Sequence, residues 1–166
     1  MSREQFQKGQ CVLYGARAVC RVAEIGALPF GEKSRLYYTL RPLFENHGET
    51  IYVPMEGNMP MRYLIDIEQA RQLISGAEVT EEEQADDPVV QKSILQSQNC
   101  GRLMGCVRTL RQKESELRRS KKHLHEAEQR FLEQAEKLLY GELAVVLETT
   151  PENVREQAEA GFRIGK

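Results

Sequence analysis

The feature that most constrains this chain is a change in hydrophobic period near Pro60. Before it, apolar residues alternate with polar ones and are interrupted by Gly and Pro, as in short antiparallel strands. After it, they recur every three or four residues, as on helices. In Arg35-Leu-Tyr-Tyr-Thr-Leu-Arg41, Leu36, Tyr38 and Leu40 share one face and are expected in the core. Cys11 to Tyr14 gives a strand ending at Gly15, and Val19 to Ile25 a second, closed by Gly26 and Pro29-Phe30-Gly31. Glu49 to Met55 follows the turn signal Asn46-His47-Gly48. Short strands with few residues between them suit a small, partly closed β-barrel.

Asp66 with Gln69 reads as a capping box, with Ile67, Ala70, Leu73 and Ile74 on one side of the helix and Gly76 at its end. Thr80 with Glu83 repeats the capping signal, and the acidic stretch Glu81 to Asp87, closed by Pro88, reads as a linker. Val89, Val90 and Ile94 start another helix, the Asn99-Cys-Gly101 turn interrupts it, and Leu103, Met104, Val107 and Leu110 mark the next. A long stripe runs from Leu124 through Phe131, Leu132, Ala135, Leu138, Leu139 and Leu143 to Val146 and Leu147, and Thr150-Pro151 opens a last helix. The fold class expected is α+β in two domains: a barrel over residues 1–64, a helix with an acidic linker over 65–87, and an all-helical bundle over 88–166.

Composition narrows function. The 166 residues carry a formal net charge of -2, so neither a globally basic nucleic-acid binder nor an acidic tail is indicated. Locally the balance changes, because Arg102 to Lys122 holds 8 basic and 2 acidic residues and could face phosphates. No apolar run reaches the roughly 18 to 20 residues of a membrane helix, and the start lacks a signal peptide's apolar centre, so a cytoplasmic location is expected. Cys11, Cys20, Cys100 and Cys106 form no CxxC pair and read as ordinary thiols; no metal site or cofactor is expected. His123 and His125, two apart, would point to different sides of a helix. With no phosphate loop, dinucleotide fingerprint, HExxH or GxSxG motif, the chain does not read as an enzyme.

Three stretches in order are similar to the CarD/CdnL family of bacterial RNA polymerase-binding transcription regulators. Phe6 to Tyr14, FQKGQCVLY, resembles the family's opening F-x-x-G-D-x-V-x-Y. Tyr37-Tyr-Thr-Leu40 and then Tyr52-Val-Pro54 resemble its Y-x-x-L strand and V-P strand end. Glu128 to Ala135, running on to Gly141-Glu-Leu143, resembles its E-x-x-x-L-x-x-A helix and terminal E-L. The resemblance implies a Tudor-like, SH3-like barrel docking on the polymerase β subunit and a helical domain touching promoter DNA, the chain working as a monomer in that complex.

It places the polymerase contact on the strand Glu49, Thr50, Ile51, Tyr52, Val53 and Pro54, where Tyr52 stands at a position that is Arg in some members. An exposed edge there could add to a partner's sheet. DNA contact is expected from the cations outside the apolar stripes: Lys92, Arg108, Arg111, Arg118, Arg119, Lys121, Lys122 and Arg130. The chain differs from the family in having no Trp, which members that stabilise the open promoter use as a minor-groove wedge; Asp86-Asp-Pro-Val-Val90 stands there instead. Val89 or Val90 would be the only nearby apolar wedge, although a helix-core role fits them better. His125 replaces the usual Ser cap of the long helix, and extra residues between Leu110 and Leu124 suggest a helix unbroken from about Glu114 to Leu139. A protein-only adaptor that never meets DNA is the alternative these differences favour.

Overall fold

The computed structural model describes residues 6–31, 34–44, 49–56, 60–76 and 87–164. The chain divides into two compact units, Met1–Leu64 and Ile65–Lys166. The first holds five strands: β1 (Cys11–Tyr14), β2 (Ala18–Gly26), β3 (Tyr37–Pro42), β4 (Ile51–Pro54) and β5 (Met61–Tyr63). All neighbours are antiparallel, in the order β4-β3-β2-β1-β5. The sheet is open, so the expected barrel is corrected: β4 and β5, only four and three residues long, each pair on one side and do not meet. The turn at Asn46-His47-Gly48 lies outside the described residues.

Phe6, Val12, Cys20, Val22, Tyr38, Leu40, Ile51 and Val53 form the core on one face of this sheet. Tyr38 and Leu40 are buried as their alternation requires, but Leu36, before β3 begins, is 50% exposed. A β-bulge between Val22 and Glu24 shifts the register of β2 against β3, so the inside–outside alternation resets and Glu24 faces solvent. β5, absent from the periodicity reading because three residues carry no period, pairs Val12 with Tyr63 and Tyr14 with Met61. Phe6 is tied in by rings on both sides, 5.8 Å from Tyr38 and 4.8 Å from Tyr63, and its N–H donates to the Tyr38 hydroxyl at 3.2 Å.

The second unit contains α1 (Ile67–Ser75), α2 (Pro88–Ser97), α3 (Cys100–Arg119), α4 (Glu126–Val146) and α5 (Pro151–Ile164). The Asp66 capping box forms in both directions, at 2.8 and 3.2 Å, and Gly76 closes α1 at φ 90°, where a Cβ would be strained. α1 packs against α3, α4 and α5 within this unit. Glu81 to Asp86 lie outside the described residues, as does the Thr80 signal; Asp87 caps α2, its Oδ1 accepting the Val89 N–H at 2.9 Å. The break before α3 is shorter than expected: Gln98 takes a left-handed conformation, Asn99 caps, and Gly101 is already helical.

The long helix is not continuous. α3 ends at Ser120, Lys121 turns left-handed at φ 57°, and the Lys122 N–H returns to the Leu117 carbonyl at 2.8 Å, the 6→1 bond of a Schellman motif. Leu124 is buried beneath the turn, and α4 starts after His125, whose N–H donates to Glu128 Oε1 at 3.3 Å. The short connection folds α4 back along α3, burying both apolar stripes against each other. Thr150 Oγ1 accepts the Asn153 N–H at 3.2 Å at the start of α5.

Candidate partner-binding edge and basic helical face

β4 is an outer strand of the sheet. Its ladder to β3 pairs Tyr38 with Val53 and Leu40 with Ile51, and continues with the Met55 N–H donating to the Leu36 carbonyl at 2.9 Å. Antiparallel backbone groups alternate in direction, so those of Ile51 and Val53 are spent on β3 while those of Tyr52 turn outward. Pro54 has no N–H to offer, which limits how far a strand can be added.

The side chains divide the six expected contact residues. The side chains of Ile51 and Val53 are buried in the core, because the period of two that exposes Tyr52 turns its neighbours inward. Glu49 is held by the guanidinium of Arg17. Thr50 and Pro54 are half-buried, and Tyr52 is 43% exposed. Its ring is met edge-on by Phe30, 5.0 Å between centroids, and Phe30 is itself 68% exposed. The sequence marked Phe30 only as a turn residue. Gly31 eases the arrangement: a Cβ there would lie 2.8 Å from the Tyr37 ring, which would have to shift to admit it. The result is a two-ring apolar knob beside an open strand edge.

On the helices, the expected DNA-contacting cations fall into two groups. Arg111 is withdrawn from any phosphate: its Nε donates to Glu136 Oε2 at 3.1 Å and its Nη1 to Glu114 Oε1 at 2.7 Å, both partly buried. Burial by itself would favour loss of its proton, but the bonds to Glu136 and Glu114 outweigh that and hold it charged. Arg130 pairs with Glu126 one turn away, and Arg118 reaches Glu114 at 3.7 Å. Lys92, Arg119, Lys121 and Lys122 are exposed and Arg108 is half-buried. Arg118, Arg119, Lys121 and Lys122 gather at the C-terminal end of α3, where the helix's own carbonyls favour cations.

Val89 is 78% exposed at the first turn of α2, so it is no core residue, and the caps of Asp87 and Asn99 put side-chain oxygens at the helix starts. His123 and His125 are both exposed. Cys20, Cys100 and Cys106 are buried and Cys11 is half-buried, all four as free thiols. Burial pushes the Cys20 thiol up to about 11, with Glu49 adding to the rise and Arg17 opposing it, so it is a poor nucleophile. Among the described residues no group of three or more His, Cys, Asp or Glu could hold a metal, and no helix is long and apolar enough to cross a membrane. No protein-family model matches the chain, and no curated protein matches it.

Proposed function

We propose that this chain is a non-enzymatic bacterial transcription regulator of the CarD-like type, working in the cytoplasm. Its Tudor-like N-terminal unit binds the RNA polymerase β subunit, and its helical unit approaches promoter DNA. The observation that carries the reading is the β4 edge: an outer strand with Tyr52's backbone turned outward and the Tyr52–Phe30 knob standing beside it. Backbone pairing supplies a generic strand-addition contact, and an exposed aromatic pair supplies the anchor that makes such a contact tight. The resemblance of the ordered motifs from Phe6 to Leu143 to that family is what supports RNA polymerase as the partner.

Co-elution with purified RNA polymerase tests it. Tyr52→Ala should weaken binding about ten-fold or more, the effect of losing an aromatic anchor. Tyr52→Pro removes an outward N–H without touching the β3–β4 ladder, whereas Ile51→Pro would break that ladder and the core. Polymerase binding that survives Tyr52→Pro and Tyr52→Ala unchanged would remove β4 from the interface.

A specific observation also favours the adaptor that binds polymerase without DNA: Arg111, Arg118 and Arg130 are engaged by carboxylates, and by the resemblance the stretch Asp86-Asp-Pro-Val-Val90 stands in place of the family's Trp wedge. An unchanged promoter footprint despite co-elution selects that reading.

A further inference from the structure

The face of the N-terminal sheet opposite its core places aromatic rings and unmatched cations side by side. Arg21 on β2 is the direct cross-strand partner of Arg41 on β3. Since Leu40 pairs with Ile51, Arg41 in turn faces Thr50. The next row along the same face runs Glu24, Thr39 and Tyr52. Tyr37, two residues before Thr39, shares this face and lies against Gly31, and Phe30 meets the Tyr52 ring edge-on at 5.0 Å. Arg21, Arg41, Tyr52 and Phe30 are exposed, and Tyr37, Thr39 and Thr50 are half-buried. Leu13 and Val19, paired further along this face, are buried, so its accessible part is the end that holds the arginines and the rings.

The charge on this end is positive. Arg21 and Arg41 stand about 4.5–5.5 Å apart at their Cα atoms, and like charges directly opposite disfavour the sheet unless an anion lies between them. The nearby carboxylates are already committed, Glu24 to Lys8 at 3.0 Å and Glu49 to Arg17. Among the described residues neither Arg21 nor Arg41 has an ion-pair partner. Tyr52 is diagonal to Arg41, so a ring and a guanidinium stand roughly 7–8 Å apart on one surface.

We propose that this sheet face is a platform for single-stranded RNA, with bases stacking on Tyr52, Phe30 and Tyr37 and the backbone phosphates held by Arg21 and Arg41. An acidic peptide would use the arginines and leave the flat faces of the rings idle, and a duplex keeps its bases stacked on one another. A single strand uses both, because every base has a face to stack and every linkage a charge to neutralise. Thr39 and Thr50 set hydroxyls between the rings and the arginines, where they can bond a ribose 2′-hydroxyl that DNA lacks. Two or three bases fill such a platform. This site is the face of the sheet, whereas the β4 reading concerns its edge, and neither depends on the other.

Fluorescence anisotropy of a short labelled single-stranded RNA with the full chain tests it. All variants are made in the background Arg118→Ala/Arg119→Ala/Lys121→Ala/Lys122→Ala, so that the cations at the end of α3 do not contribute, and circular dichroism checks that each is folded. Tyr52→Ala and Phe30→Ala should each weaken binding about ten-fold, while Tyr52→Phe, which keeps the ring, should stay within about two-fold. Arg21→Ala/Arg41→Ala should reduce the slope of log K against log salt by about 1.4, roughly 0.7 for each phosphate released. Ultraviolet cross-linking of the RNA should mark the peptide that holds Phe30 or Tyr52. No RNA binding in the background chain, or binding that neither the ring nor the arginine variants alter, overturns the proposal. Equal affinity for single-stranded DNA of the same sequence overturns the assignment to RNA, and tighter binding of a DNA duplex overturns the single-stranded platform. Poly-L-glutamate displacing the RNA through Arg21 and Arg41 while Tyr52→Ala and Phe30→Ala have no effect would make the face an acidic-peptide site and overturn it as well. Co-elution with polymerase enters none of these outcomes, so the platform and the β4 reading fail separately.

Discussion

The carboxylate of Glu142, near the C-terminal end of α4, accepts the backbone N–H of Ile65 at 2.9 Å across 77 positions of sequence. Its other oxygen lies 3.2 Å from Cys100 Sγ at the start of α3, and the side chain is 1% exposed. One buried acid thus ties together the approach to α1, the first turn of α3 and the C-terminal part of α4. Glu142→Ala would leave a backbone N–H without its acceptor and remove packed methylenes, so it should cost about 2–4 kcal/mol. Glu142→Gln keeps one acceptor and should cost roughly half as much. Urea unfolding monitored by circular dichroism measures both, and an Ala variant as stable as wild type would show the tie to be dispensable.

Tyr140 presents the opposite case. Its hydroxyl is buried and, among the described residues, has no hydrogen-bond partner. Burial, reinforced by Glu136 and Glu159, raises its pKa, so it stays a neutral phenol at any ordinary pH. Tyr140→Phe removes a polar group that was dehydrated without compensation and should leave stability unchanged or raise it by up to about 1 kcal/mol. A loss above that size in thermal or urea unfolding would mean the hydroxyl has a bound partner such as a buried water.

Lys121 occupies the left-handed position of the Schellman turn between α3 and α4, at φ 57°. A side chain there is strained, and glycine is not. Lys121→Gly should stabilise the helical unit by about 0.5–1 kcal/mol, read as a shift of the unfolding midpoint. Gly76→Ala at the end of α1, φ 90°, should shift it the other way by a similar amount.

Glu128 links the two helices by accepting from Lys113 Nζ at 2.6 Å while also accepting the His125 N–H. Burial pushes its carboxyl pKa upward, but the bonds from Lys113 and His125 outweigh burial and hold it below the ordinary 4.5. A pKa lowered on folding contributes stability that is present above the unfolded value and is lost as pH falls through the folded one. Unfolding free energy should therefore decline as pH drops below about 4.5, and Glu128→Gln should flatten part of that decline while lowering stability at neutral pH. An identical pH profile in wild type and variant would show the pair contributes nothing to the linkage.

Arg118, Arg119, Lys121 and Lys122, exposed at the end of α3, bear on DNA. If they neutralise about three to five phosphates together with Lys92, log K for a duplex should fall with log salt at a slope of roughly -3 to -5. Replacing the four by Ala should flatten that slope with changes in stability within about 0.5 kcal/mol per site. Arg111→Ala should instead destabilise, by about 1–3 kcal/mol, because it leaves the buried carboxylate of Glu136 with only the more distant Arg155 at 3.9 Å. A slope unmoved by the four-fold variant would assign those cations to solvent and favour the adaptor.

Local chemistry carried most of the fold class. The change of period at Pro60, the caps at Asp66 and Thr150 and the stop at Gly76 are each set by interactions within about four residues, so the residues alone determined where strands gave way to helices. The same holds for Tyr38 and Leu40 as core and for the α4 stripe. Tertiary structure decided the rest. Which face of β4 is free depends on its pairing with β3, and that pairing buries Ile51 and Val53 and leaves Tyr52 to the outside. Whether Arg111 is a free cation depends on Glu136, 25 positions away on the facing helix. The break at Lys121 follows from α4 folding back over α3, since burying both stripes offsets the strain of a left-handed lysine. The meeting of Arg21 with Arg41 is likewise a product of strand register, because two residues separated by a loop become neighbours only when the hydrogen-bond ladder between their strands is fixed.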